Sequence, residues 1–326
     1  MNPNCGPCCN HSPMLKFIKD WMLVISIVSG IVVYLVYRAL PVLQPLGAPA
    51  LSFIRTVQPL LIFAMLFLSF STISPRDLRL HKWQWEALIF QAVMFAGTAL
   101  LLYSGILPQE RIAMESFALC MICPTATACA VVAAKLGGDK ASVLTYTILA
   151  NLLAALLVPL FVPLLYPRAD HSFLIDAALI LGKVLPLLLL PCLCAWAVRY
   201  VFPRLHSKLL NVKDLPFYLW AVSLMLAILM STRAIVRSNA STMVIMQIFS
   251  GSLLACALQF FVGRRIGARY GQGVTAGQVL GQKNTVFAIW MGYTFLDPVT
   301  SLAGGFYSIW HNCYNTWQLR HHKDTF

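Results

Sequence analysis

IAMESFALCMICPTATACAVVAAKL, residues 112–136, is long and apolar enough to cross a bilayer as a helix. Near its middle, Cys123-Pro124-Thr125-Ala126-Thr127-Ala128 forbids a continuous one. Proline removes a backbone donor and clashes with the turn before it. A second run, VTAGQVLGQKNTVFAIWMGYTFL at 274–296, is interrupted at the corresponding place by Gly281-Gln282-Lys283-Asn284-Thr285. Three polar side chains in succession are costly in hydrocarbon. Unwound backbone at that depth is tolerated only against protein or a water-filled cavity. Two broken helices, each needing shelter for its break, therefore set the architecture.

Eight further apolar runs surround these two, at 20–40, 51–72, 84–106, 141–167, 173–201, 215–235, 241–263 and 299–317. Hydrophobic residues make up 59% of the chain and charged residues 11%. A soluble domain carries about 25% charged residues, so this chain cannot clothe a water-facing surface. The net charge of +13 does not point to nucleic acid, because the cations sit in short connections with no basic stripe. They alternate by side. Lys16, Lys19, Arg76, Arg79, Lys82, Lys135, Lys140, Arg199, Arg204, Lys208, Lys213, Arg264, Arg265, Arg269, Arg320 and Lys323 fall on one side, and Arg38, Arg55, Arg111, Arg168, Arg233 and Arg237 on the other. Cytoplasmic loops carry the excess of Lys and Arg, so both termini are expected in the cytoplasm of a multi-pass cell (inner) membrane protein. Residues 1–13 lack a signal-peptide pattern, which leaves the first span as an uncleaved anchor.

The fold class that follows is an all-α integral membrane protein. Ten transmembrane helices form two inverted five-helix repeats, roughly 20–167 and 173–317, with broken helices 4 and 9 crossing. A tail over 1–19 and another over 318–326 flank the ten-helix domain of 20–317. Interrupted helices at matching positions of an inverted repeat mark the binding site of secondary transporters. Helix halves starting after the breaks aim their positive dipole ends inward, which suits an anion. The bland alternative for each break is a simple kink.

At these residues the chain resembles the bile acid:sodium symporter superfamily. Ser74-Pro75-Arg76-Asp77-Leu78 is similar to the family's Lys-Pro-x-Asp-Phe loop, and Cys123-Pro124-Thr125-Ala126-Thr127-Ala128-Cys129-Ala130 to its Cys-Pro-Gly-Gly-Thr-Ala-Ser-Asn. Gln282-Lys283-Asn284-Thr285 resembles its Met-Gln-Asn-Ser, and Ser308-Ile309-Trp310-His311-Asn312 its Ser-x-Trp-His-Asn. The resemblance implies a core domain holding the crossed helices, a panel domain beside it, and small organic anions as substrates. It places Thr127 and Asn284 beside the substrate, with Thr125 and Thr285 as further candidates.

The departures bear on the coupling ion. Positions where the resemblance implies sodium ligands hold Cys129, Ala130, Val143, Thr147 and Val279, and the Gln before the span-nine Asn is Lys283. Gln91 matches a Gln that the third span would contribute. Sodium wants several hard oxygen ligands, and Ala130, Val143 and Val279 offer no side-chain oxygen. Sodium binding of the family's kind is therefore not expected, and no cofactor or metal is. Lys283 is the sharpest residue: a membrane-buried lysine is a functional candidate by default, here as the charge that replaces sodium and attracts the anion. Its bland alternative is a snorkelling lysine. Lys283, Gln282, Gln91, Thr147 and Cys129 are the ion-coupling candidates.

The eleven carboxylates all fall at span ends or in connections, leaving none at the bilayer centre as a proton relay. Lys183, inside the sixth span, has no evident partner. His311 and Asn312 read as structural. Cys5, Cys8, Cys9 and His11 form a short tail cluster that a metal could use, although a reduced tail is the simpler reading. No constellation of nucleophile, base and orienter is present, so an enzyme is not expected. The reading is a secondary transporter moving a small organic anion by alternating access, with the lipid bilayer and that anion as partners. Alternatives are an arsenite-type exporter, for which Cys123 and Cys129 leave room, and an anion-binding receptor or sensor.

Overall fold

The structure, a computed structural model, describes residues 13–212, 214–238 and 240–323. Cys5, Cys8, Cys9 and His11 lie outside the described residues. Thirteen α-helices follow in order among them. They are α1 (Pro13–Ala39), α2 (Gly47–Phe70), α3 (Lys82–Ser104), α4 (Arg111–Ile122), α5 (Cys129–Lys135), α6 (Lys140–Leu165), α7 (Phe173–Val201), α8 (Pro203–Asn211), α9 (Leu215–Ser238), α10 (Thr242–Ala268), α11 (Gly273–Gly281), α12 (Thr285–Phe295) and α13 (Leu302–Lys323).

Among the described residues, seven helical segments are long and apolar enough to cross a membrane: Trp21–Ala39 of α1, Pro41–Phe70 covering α2 and the 3-10 turn before it, and α3, α6, α7, α9 and α10. The remaining expected spans are the two broken ones and the last. Each break divides its run into pieces too short to span alone, α4 with α5 and α11 with α12. α13 carries His311, Asn312, Asn315, Gln318 and Arg320, which lower its hydropathy. The breaks fall where the sequence placed them, after Ile122 and after Gly281. One helix was not anticipated. The connection after α7 folds as α8, started by Pro203 at a position where a missing N–H costs nothing. His206 anchors it, its Nε2 lying 2.9 Å from the Ser71 carbonyl oxygen at the end of α2.

Packing sets the two broken helices at the centre. α4 lies between α3 and α10, while α11 lies along α10. Glycines make the second contact possible. A Cβ on Gly263 would come within 2.6 Å of the Ala276 carbonyl oxygen, and one on Gly267 within 2.6 Å of the Ala276 side chain. Small residues let helix backbones approach where lipid provides no hydrophobic drive. Further out, α1 packs on α9 and α2 on α7, and α6 and α13 flank α3 and α10. Outward faces are apolar: Val24, Val28, Val32 and Val36 on α1, and Ile89 and Val93 on α3, are all exposed. In water such surface would be a liability; in a bilayer it is the expected contact with acyl chains.

Candidate functional site

The two breaks meet. Thr125 and Lys283 form an antiparallel β-bridge. The Ala126 N–H donates to the Gln282 carbonyl at 2.8 Å, and the Asn284 N–H donates to the Pro124 carbonyl at 2.9 Å. Each unwound segment thereby satisfies the other's backbone, which neither helix could do alone in an apolar interior. The Thr125 hydroxyl ties the pair again by donating to the Val279 carbonyl at 2.8 Å.

Orphan carbonyls at the ends of the first halves are met by side chains from neighbouring helices. Gln91 of α3 donates through Nε2 to the carbonyls of Ile122 (3.2 Å) and Cys123 (3.3 Å). Its Oε1 accepts from the Tyr146 hydroxyl at 3.1 Å. Across the crossing, Tyr307 of α13 donates to the Gly281 carbonyl at 2.8 Å and accepts from Gln259 Nε2 at 3.0 Å. Gln259 also reaches the Cys120 carbonyl at 3.4 Å. Gln259 and Tyr307 were missed in the sequence. The available signal was a glutamine inside the apolar run 241–263.

The second halves start differently. Asn284 caps α12, its Oδ1 accepting from the Phe287 N–H at 3.2 Å. Its Nδ2 is buried without a hydrogen-bond partner, as are Gln282 Oε1 and Lys283 Nζ. Lys283 is 1% exposed. The groups near enough to interact electrostatically with its ammonium are the thiols of Cys123, Cys129 and Cys120. None is an acid of the ordinary kind. The crossing thus concentrates two unpartnered donors, the Lys283 amine and the Asn284 amide, beside one free acceptor.

The remaining candidates are placed as follows. Thr127 is half-buried in the turn leading into α5, and Thr285 is buried at the first position of α12. Cys129 begins α5 and is fully buried. Thr147 on α6 directs its hydroxyl to the Val143 carbonyl of its own helix at 2.8 Å. Cys129, Ala130, Val143 and Val279 belong to one apolar cluster with Trp83, Tyr146 and Leu280. Apolar packing surrounds these four of the positions where the resemblance implies sodium ligands. Lys183 does have a partner, its Nζ standing 5.9 Å over the Phe295 ring. His311 is buried against Tyr307 with Nδ1 unpartnered, and Asn312 donates to the Ser308 carbonyl of its own helix. Among the described residues no group of three or more His, Cys, Asp or Glu could hold a metal ion.

Glu115 is at a span end, yet it is no solvated residue. It sits one turn into α4 at 1% exposure. Arg111 Nε stands 2.9 Å from its Oε1, and Thr300 donates to its Oε2 at 3.1 Å. The Tyr166 hydroxyl is near enough to interact with it, and accepts from the Asp297 N–H at 3.3 Å. Arg111 in turn donates to the Leu165 carbonyl at 3.3 Å. This knot joins α4, the end of α6 and the link between α12 and α13.

A cavity of about 670 Å³ lies away from the crossing. It opens between Gly137–Asp139 and the stretch from Arg264 to Thr275, at the end rich in Lys and Arg. Asp139 on its wall caps α6. Burial acts to raise its carboxyl, but bonds from the Ser142 hydroxyl and the Ala141 and Ser142 N–H groups hold it below the ordinary range. Three buried polar atoms without a hydrogen-bond partner, on Gln282, Lys283 and Asn284, lie instead at the crossing.

The family model described as the SBF-like CPA transporter family matches residues 20–304. No curated protein matches the chain.

Proposed function

The chain belongs to the SBF-like CPA transporter family, and from that premise we propose a secondary active carrier that moves a small organic anion by alternating access and is not driven by sodium in the family's usual way. Membership and the apolar helices make a multi-pass membrane protein and a membrane transporter the coarse reading, and point away from an enzyme. The finer reading rests on one observation: Lys283, a buried lysine whose Nζ has no hydrogen-bond partner, sits in the bridge that joins the two breaks.

A lone ammonium in a low-dielectric interior is expensive unless an opposite charge arrives. An anion bound at the crossing supplies that charge. The unpartnered Asn284 Nδ2 gives it a second donor, and Thr127, half-buried at the turn before α5, a hydroxyl. In this reading Thr125 and Gln91 hold the crossing's backbone in shape and do not touch substrate. Lys283 takes over the work that a sodium ion would do, keeping two polar breaks apart in charge and together in space. The apolar packing of Ala130, Val143 and Val279 supports the absence of a sodium site there.

Ten spans in two inverted halves remain the architecture that this function requires. The pairing of α1 with α9 and of α2 with α7 supports it, because exchanging the halves turns one contact into the other. Both termini in the cytoplasm of the cell membrane follow from the cation bias.

Proteoliposomes test the proposal. A panel of small carboxylates, presented with sodium and proton gradients imposed separately, is expected to yield uptake that survives removal of sodium and disappears in Lys283→Ala. An arsenite exporter would instead show arsenite transport lost in Cys129→Ser. A receptor would bind an anion in nanodiscs and transport none.

A further inference from the structure

Ser74-Pro75-Arg76-Asp77-Leu78 and α8 take no part in the crossing, yet the structure joins them. His206 of α8 meets the Ser71 carbonyl at 2.9 Å, and the Ser74 hydroxyl lies 3.3 Å from the Tyr200 hydroxyl near the end of α7. Two hydrogen bonds thus tie the connection after α2 to the one after α7. Both connections are basic. Residues 71–82 hold Arg76, Arg79 and Lys82 against Asp77, and residues 199–214 hold Arg199, Arg204, Lys208 and Lys213 against Asp214. Asp77 is engaged in its own turn, its Oδ2 accepting from the Ser74 N–H at 3.2 Å. Arg76, Arg79, Arg204 and Lys208 are exposed, and none joins an ion pair among the described residues.

Helix periodicity sorts α8 by face. At the spacing of one turn, Arg204 and Lys208 share one side, and Leu205 and Leu209 the side next to it. His206 is the buried residue of this helix and Leu209 is half-buried. Leu205 is exposed, as are Phe202 just before the helix and Val212 just after it. The helix therefore rests on the protein through His206 and leaves an apolar flank and a cationic flank uncovered, side by side. α7, long and apolar enough to span a bilayer, ends at Val201, two residues before α8 begins. In the connection after α2, exposed Leu80 follows exposed Arg79. A short helix with these two flanks at the end of a span is the pattern of one lying in the plane of the membrane surface.

We propose that α8 and the Ser74–Leu78 connection form one docking surface for acidic lipid headgroups, with Arg76, Arg79, Arg204 and Lys208 taking the phosphates and Phe202 and Leu205 entering the acyl boundary. Charge complementarity selects the occupant. Neutral lipid would satisfy the apolar flank alone, whereas four exposed cations without an ion-pair partner suit a surface of net negative charge. Guanidinium forks match phosphate oxygens in pairs, and a lysine adds a point charge. The surface is separate from the crossing, and the inference does not depend on what the carrier moves. Its effect is to fasten to the membrane plane the ends of α2 and α7, two helices that pack on each other.

The test titrates the full chain, in a neutral detergent, with phosphatidylglycerol or with phosphatidylcholine while thermal unfolding is followed. Phosphatidylglycerol is expected to raise Tm above the phosphatidylcholine level, by an amount that shrinks as salt is added. Arg204→Gln and Lys208→Gln, made together, are expected to weaken the apparent phosphatidylglycerol affinity by about fivefold per cation removed. Tm of this variant in phosphatidylcholine should equal that of wild type, which identifies it as folded. Arg76→Gln with Arg79→Gln should weaken the response from the other connection, and decides the matter if the first pair lowers the baseline. Lys135→Gln with Lys140→Gln removes the same charge from exposed positions at the same Lys/Arg-rich end and should keep the wild-type response. A wild-type response in both arginine-containing pairs overturns the proposal. So does an equal loss in the Lys135 and Lys140 pair, which would assign the effect to net charge. The same rise with inorganic phosphate in place of lipid overturns it too, as a phosphate site that needs no membrane. Uptake is not the readout, so failure here leaves the transport reading standing.

Discussion

Glu115 and Lys283 are both buried charges on broken helices, and the fold treats them in opposite ways. Glu115 has Arg111, Thr300 and the Tyr166 hydroxyl around its carboxylate. Lys283 has thiols nearby and no hydrogen-bond partner for its Nζ. A charge surrounded by matched partners holds parts of a molecule together. A charge left without them burdens stability and persists where function needs it, because burial without pairing costs several kcal/mol in general.

The widest gap between the two regions is expected on activity. Lys283→Met should abolish anion uptake, by about a hundredfold or more if one charged contact and its long-range attraction are both lost. Tm of the same variant, measured by unfolding in nanodiscs, should stay level or rise, since an unpaired buried charge is removed. A large fall in Tm would place Lys283 with Glu115 as a structural charge.

Next comes the opposite variant. Glu115→Ala leaves the Thr300 hydroxyl and one face of Arg111 without their partner and should cost about 2 kcal/mol of stability, the scale for breaking a partly buried charged cluster. Arg111 reaches solvent, which keeps the loss below that of a fully enclosed pair. Residual uptake by the folded fraction should persist, and a double-mutant cycle with Arg111→Met should show coupling between the two. Uptake lost with Tm intact would move Glu115 into the transport machinery.

Much of this contrast could not be read from the sequence. The breaks could: Pro124 and the Gln282-Lys283-Asn284 triplet act locally, and local chemistry stops a helix wherever it occurs. Lys283 stood out for the same reason, as a lysine in an apolar run. The bridge between Thr125 and Lys283, the capping of Ile122 by Gln91 and the environment of Glu115 depend on helices brought together by packing. At the sequence level Glu115 was one acid near a span end, because Tyr166 and Thr300 lie far along the chain. α8 was missed because its nine residues are too short and too polar to register as a span. Thr147 was put forward by position, and the structure turns its hydroxyl onto its own helix.

Smaller effects sharpen the boundary between shaping the crossing and serving it. Gln91→Leu exposes the Ile122 and Cys123 carbonyls to an apolar setting and strands the Tyr146 hydroxyl, a loss of about 1–2 kcal/mol readable as a lower Tm. Thr125→Val removes one bond across the crossing, for about 0.5–1 kcal/mol, within the range of interhelical bonds in membrane proteins. Both variants should still carry anion once folded. Loss of uptake at unchanged Tm in either would make it a substrate contact.

The central claim is that a lysine stands where this kind of carrier would hold sodium. Anion uptake into proteoliposomes, measured with external sodium and then with choline in its place, for wild type and Lys283→Ala, tests it most directly. Equal uptake by wild type in sodium and in choline, with uptake by Lys283→Ala lost in both, is the expected result. Uptake by wild type that collapses in choline and persists in Lys283→Ala with sodium present would contradict it.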